Sequence, residues 1–173
     1  GTNDTLGVNT TRTISGGDST MLFRDTTGWF HLVIAWDTTQ SSNADRLKVY
    51  VNGSEISGFD DTISQNTGVG YNVNGNRHYI GRNQADGYGF DGYMAEINSI
   101  DGQQLTPTSF AEEKNGVWKP IDTASLTFGN NGYRLKFENS SSIGSDSSGN
   151  NNDFGTYGLD ADHVVLDSPT FGS

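Results

Sequence analysis

Apolar residues in this chain fall into short runs with a period of two, separated by stretches rich in glycine, asparagine and serine, which predicts many short strands and tight turns. Residues 29–37 (WFHLVIAWD) are apolar at nearly every position and predict a central strand covered on both faces. After the polar excursion TTQSSNADR, residues 47–57 alternate, with Leu47, Val49 and Val51 on one face and Lys48 and Tyr50 on the other. Within that run Asn52-Gly53 predicts a two-residue hairpin turn, because a type I′ turn needs φ > 0 at both central positions.

Residues 78–81 predict a brief strand, and residues 90–100 a longer one in which Phe90, Gly92 and Met94 alternate before a turn at Asp101-Gly102. A short helix is expected over 107–113: Thr106 is a capping residue, Pro107 occupies the first helical position, and Glu112 and Glu113 follow. Residues 133–137 predict a strand with Tyr133, Leu135 and Phe137 on its apolar face, and residues 163–166 are strand-like. The segments 58–75, 82–89 and 139–152 read as loops, the first of them unusually long.

Composition narrows the class. With 173 residues the chain suits one domain with a real core, and 23 Gly, 3 Pro and 11% aromatics fit an all-β protein. The net charge of −11 opposes nucleic-acid binding, which rests on basic side chains. It suits cations or neutral glycans, and it equally suits plain solubility. Without cysteine there is no disulfide framework, Cys-ligated zinc or thiol nucleophile. No apolar run approaches a membrane span, so no membrane partner is expected. The polar opening GTNDTLGVNT lacks the pattern of a secretory leader and reads as a processed product or one piece of a longer protein.

The motifs WFHLVIAWDTTQ, DRLKVYVNG, FDGYMAEINSIDGQQLTPTSF, GVWKP and GYRLKFENSSSIGSDSSGNNNDF together resemble the concanavalin A-like, laminin-G or pentraxin-type domains of marine phage tail and virion proteins. The resemblance implies an antiparallel two-sheet jelly-roll sandwich of concanavalin A-like lectin/glucanase type with one short helix. Residues 1–154 are expected to form the laminin-G-like body and residues 155–173 an extended tail, whose loose pattern suits an arm that orders on assembly. Relatives carry further strands before the region of Arg24, Asp25 and Trp29, and their D-x-S-G-N-x-N element stands near the start, whereas Asp146 to Asn152 stand near the end here. The 133–137 strand therefore takes the place of a first strand, as in a circular permutation, or starts a neighbouring module; closure of the same sandwich is the expectation, because the first and last strands of such folds lie side by side.

Glycosidases of this fold place E-x-D-x-x-E on one strand, with the catalytic carboxylates about 5–5.5 Å apart. The corresponding residues here are Glu96, Asn98 and Asp101, so the middle carboxylate is an amide and the last side chain is a methylene shorter, which argues against catalysis. Calcium takes six to eight oxygens. The expected ligands are Asp146, Asn150, Asn152 and Asp153, with Gly149 letting the chain wrap the ion; Asp60 with Asp61, or Asp86 with Asp91, are alternatives. The same loop also reads as Asx and ST turns bonding their own backbone.

For carbohydrate the candidates are Tyr71, Asn72, Asn83, Asp86 and Tyr88, supported by Asn74 and Gln84: aromatic faces beside amides and a carboxylate that satisfy hydroxyls. Polar loop is their plain alternative. Trp29 and Trp36 read as packing and Trp118 as a pin for the segment after the helix. His31 reads as a core hydrogen bonder, and with His78 and His163 it gives no zinc pattern. Arg82 and Lys119 make no basic patch.

Taken together, the sequence and its resemblance lead to the expectation of a non-enzymatic virion module. It would be extracellular on tail or capsid, part of a phage tail fibre or appendage, homo-oligomeric, recognising host surface glycan beside other virion proteins. A structural or decoration protein without a sugar ligand is the alternative, and a glycoside hydrolase of the same fold a minor one.

Overall fold

The computed structural model describes residues 28–56, 63–68, 77–82, 89–166 and 169. Every sheet among them is antiparallel. Strands β1 (Leu32–Trp36), β2 (Leu47–Val51) and β3 (Ser54–Ile56) form a three-stranded sheet in chain order. Leu32 pairs with Val51 and Trp36 with Leu47, and Asn52-Gly53 turns the chain with φ of 47° and 74° as the hairpin expectation required. β1 is shorter than 29–37, and only Val33 and Ala35 are fully buried; Leu32 is exposed, so its two faces are not equally covered among the described residues.

Strand β4 (Ile97–Ser99) pairs with the later β7 (Tyr133–Leu135), while β5 (Ala111–Lys114) and β6 (Val117–Pro120) form a hairpin of their own. The expected strand over 90–100 survives only as β4. Glu96 adopts φ of 49°, which interrupts an extended run, and Phe90 and Tyr93 lie exposed before it. Residues 78–81 and 163–166 form no strand either; Ala161–His163 is a single 3-10 turn capped by Asp160.

The helix over 107–113 is corrected as well. Thr106 and Pro107 do stand at the start of a helical turn, but it is 3-10, spans Pro107–Ser109 and gives way at once to β5, and the Thr106 hydroxyl pairs with that of Thr108 instead of capping a backbone N–H. The reason is a second Asn-Gly turn, Asn115-Gly116, with φ of 55° and 80°, which folds 111–120 into a hairpin with Glu113 opposite Trp118. Ala, Glu and Lys favour helix intrinsically, and tertiary pairing overrides that preference.

The pieces are tied together by named contacts. Trp118 of β6 lies over the Asn52-Gly53 turn and stacks on His31, with ring centroids 5.4 Å apart and 8° between planes. Only glycine fits at 53, since a Cβ there would stand 2.0 Å from the indole. Gln104 donates to the carbonyls of Ala35 and Asp45, binding the segment after β4 to the first sheet. Asp101 N–H donates to the Phe128 carbonyl at 2.9 Å, joining the exit of β4 to the approach of β7. The expected strand 133–137 ends early, at Leu135, because Phe137 takes φ of 57°. It pairs with β4 and bridges to Asp146, so it hydrogen-bonds into the same body. Leu135 is almost fully buried and contributes about 1.5–3 kcal/mol by leaving water.

Candidate functional site

Three places on the described surface carry enough chemistry to be weighed. The first surrounds Glu96 and β4. Arg134 on β7, with its side chain only 7% exposed, sends Nε to Glu96 Oε2 at 3.2 Å and Nη1 to Asp122 Oδ1 at 2.9 Å, and its Nη2 lies 3.4 Å from Glu96 Oε1. Burial works against the guanidinium, but the Glu96 and Asp122 carboxylates outweigh it and hold the group's pKa above its ordinary value. Glu96 is thus committed to a buried cation. Asn98 accepts from the Thr123 hydroxyl at 2.7 Å and donates to the Glu96 carbonyl. Asp101 accepts from the backbone and side-chain nitrogens of Asn131. Each of the three residues aligned with the glycosidase motif therefore has a structural partner. Sequence reasoning missed Arg134 and Asp122; an arginine inside the apolar alternation YRLKF was the available signal.

The second place is the DSSGN loop. Asp146 Oδ1 accepts from the backbone N–H of Arg134 and of Ser148, both at 2.8 Å, and Oδ2 accepts from the Ser148 hydroxyl and the Asn152 N–H, both at 2.9 Å. Burial pushes this carboxyl's pKa up, yet these four donors together hold it below its ordinary value. Asp153 Oδ1 accepts from Asp146 N–H at 2.7 Å. The amide of Asn150 donates to the carbonyls of Gly129 and Gly132, and that of Asn152 to those of Asn130 and Gly132. The four residues expected to ligate calcium do come together, but they bond to one another and to the turn before β7. Asp146, the central carboxylate, has both oxygens filled by protein donors, so the arrangement does not fit an ion that takes six to eight oxygens. Among the described residues no group of three or more His, Asp or Glu is placed to hold a metal. The alternatives Asp60, Asp61 and Asp86 lie outside the described residues, and Asp91 is exposed.

The third place is aromatic. The Arg82 guanidinium lies 4.4 Å from the ring centroid of Tyr157 and 5.5 Å from that of Tyr79, both within cation–π range. Tyr157 is 72% exposed, and Phe90, whose N–H donates to the Gly81 carbonyl, is exposed nearby in the chain path. The segment that brings Tyr157 here is anchored first by Phe154, which packs edge-on against Tyr133 at 4.8 Å and donates its N–H to Gly144.

The same segment, through Thr156 and Asp160, lines a groove of about 450 Å³ together with Ser140, Ser142, Gly144 and Phe154 among others. Asp160 is kept ionised to lower pH than usual, first by the His163 ring at 2.8 Å and then by the Asp162 N–H. The groove thus offers hydroxyls and an acceptor carboxylate, and the exposed Tyr157 follows its lining residue Thr156 in the chain. Tyr71, Asn72, Asn83, Asp86 and Tyr88, with Asn74 and Gln84, lie outside the described residues; Arg82 immediately precedes Asn83 in the chain. The pairing of Arg82 with Tyr157, far apart in sequence, carried no local signal.

The histidines and tryptophans differ in part from expectation. Rather than hydrogen-bonding in a core, His31 stacks on Trp118, and its Nδ1 is buried without a hydrogen-bond partner among the described residues. Burial lowers its pKa. Trp118 does pin the segment after the helical turn, by holding the β5–β6 hairpin against the Asn52-Gly53 turn. Trp29 and Trp36 are half-buried.

A family model described as the concanavalin A-like lectin/glucanases superfamily, laminin-G type, matches residues 4–109. No curated protein and no solved structure matches the chain. The matched span ends at the 3-10 turn, so the β5–β6 hairpin, β7, the DSSGN loop and Tyr157 lie beyond it.

Proposed function

The chain belongs to the concanavalin A-like lectin/glucanases superfamily, and from that premise we propose that it is a non-catalytic carbohydrate-recognition module of a virion. The ligand is a host surface glycan, and the setting is an extracellular phage tail fibre or appendage, repeated in a homo-oligomer among other virion proteins. The superfamily holds both lectins and glucanases, so the choice between them rests on side chains.

The observation that carries the reading is the exposed ring of Tyr157, braced by Arg82, on the same segment whose Thr156 and Asp160 line a groove rich in hydroxyls. An aromatic face takes the apolar side of a sugar ring, while Ser140, Thr156 and Asp160 suit its hydroxyls. Against hydrolysis stands Glu96: its carboxylate is paired with Arg134, Asn98 is an amide bonded to Thr123, and Asp101 accepts from Asn131. Modest affinity per site suffices, because repetition of tethered sites raises the effective concentration.

A glycan array probed with the intact chain, with and without calcium, tests this. Binding is expected in both conditions and is expected to weaken at least about tenfold in Tyr157→Ala, a loss of about 1.4 kcal/mol. A folded chain that binds no glycan sinks the proposal.

A second reading, a structural or decoration protein without a sugar ligand, draws on Leu159, Val165 and Leu166, three exposed apolar side chains on the segment that follows Tyr157. Leu166 is 89% exposed, the kind of surface a neighbouring subunit covers.

A further inference from the structure

Asn-Gly occurs in the chain at Asn52, Asn74, Asn115 and Asn131. Asparagine followed by glycine is chemically labile, because the glycine nitrogen is unhindered and can attack the asparagine side-chain carbonyl. Sequence alone ranks the pairs equally. The structure does not, and three of them lie among the described residues.

Asn52 Oδ1 accepts from the His31 N–H at 2.8 Å, and Gly53 is roofed by the Trp118 indole, so this turn is held from both sides. Asn131 donates to Asp101 from both its nitrogens, and Gly132 is buried, with the Phe128 and Ser99 carbonyls where a Cβ would stand. Asn115 differs in its side-chain bonding and in the space around the following glycine. All three asparagines are exposed, but the Asn115 side chain makes no hydrogen bond among the described residues, and nothing lies within 4 Å of where a Cβ on Gly116 would stand. Its turn closes a hairpin whose two strands pair only with each other among the described residues. Such a tip opens at lower cost than a turn packed under an indole.

We propose that Asn115 is a site of spontaneous covalent modification, at which the chain converts its own asparagine to an aspartyl or isoaspartyl residue while Asn52 and Asn131 are spared. The Gly116 amide nitrogen gives up its proton and bonds to Cγ of Asn115. The Cγ–Nδ2 bond breaks, and ammonia leaves, taking up that proton. One water then opens the cyclic imide at either carbonyl, giving the two products; no electrons are transferred.

The turn must open first, since φ of 55° and 80° at Asn115 and Gly116 belongs to the closed hairpin. Either product adds a negative charge beside Glu112 and Glu113 on a chain already at −11. The isoaspartyl product also inserts a methylene into the backbone. That spoils the turn, loosening β6 and with it the contact of Trp118 on Gly53 and His31. The exposed tip is thus a slow clock acting on the joint between two hairpins.

Ageing the intact folded chain in heavy-oxygen water at mildly alkaline pH, followed by peptide mapping, tests the proposal. Conversion at Asn115 is expected to run at least about tenfold faster than at Asn52 or Asn131, which corresponds to about 1.4 kcal/mol of opening free energy. In concentrated urea the three rates are expected to converge, because only the fold separates them. Conversion at Asn115 no faster than at Asn52 or Asn131 in the folded chain overturns the proposal. So does a preference for Asn115 that persists undiminished in urea.

Discussion

Asp146 shows how one side chain organises a turn. Its carboxylate gathers the N–H groups of Arg134, Ser148 and Asn152, so removing it leaves several donors unsatisfied at once. Asp146→Ala is expected to cost about 3 kcal/mol, read by urea denaturation. Because the folded pKa is lowered, this stabilisation is present above the ordinary carboxylate value of about 3.9 and is lost as pH falls through the folded value. The stability gap between the native chain and the variant should therefore narrow in acid, and neither calcium nor EDTA should move the native melting temperature.

Gly53 and Gly116 form a matched pair at the same scale. Both have positive φ, but only Gly53 is roofed by Trp118. Gly116→Ala should cost about 1–2 kcal/mol from backbone strain alone, and Gly53→Ala more than that by about 1–3 kcal/mol of overpacking. The DSSGN turn chemistry was legible in the letters, because Asp, Ser and Asn bond locally. Arg134 with Glu96 and Arg82 with Tyr157 were not, because those contacts are made by tertiary folding.

Among the elements, the β5–β6 hairpin decides most. Thr106-Pro107 announced a helical turn correctly, and Asn115-Gly116 carried the same hairpin signal as Asn52-Gly53. It was the helix-favouring run Ala111 to Lys114 that masked the strand. The 90–100 strand failed for a different reason: side-chain alternation cannot reveal a positive φ at Glu96.

The hairpin's role can be tested through His31. Trp118→Ala removes the stacked indole and should cost about 2–3 kcal/mol, somewhat less than for a fully buried tryptophan. It should also let the His31 pKa, lowered by burial, climb toward 6.5, as followed by NMR titration. For the native chain the sign is fixed: the unfolded state binds the His31 proton more readily. Stability from this residue is therefore present above about 6.5 and is lost as pH falls toward the folded value.

At the scale of the whole molecule, antiparallel strands and glycine-rich turns were visible in the sequence, and the family match agrees with the all-β sandwich they predicted. The chosen sugar loops lie outside the described residues, while the described surface offers Tyr157 and its groove. Glu96 is paired with Arg134, so Glu96→Gln is expected to lower stability and leave glycan binding intact.

The central claim is recognition without cleavage, and one experiment reads both halves. Saturation-transfer NMR on the intact chain with an array-positive oligosaccharide reports contact through the sugar ring protons and hydrolysis through the anomeric signals. The expected result is transfer to the ring protons, abolished in Tyr157→Ala, with anomeric signals unchanged over prolonged incubation. New reducing-end signals that vanish in Glu96→Gln, or no transfer from the folded native chain, would contradict it.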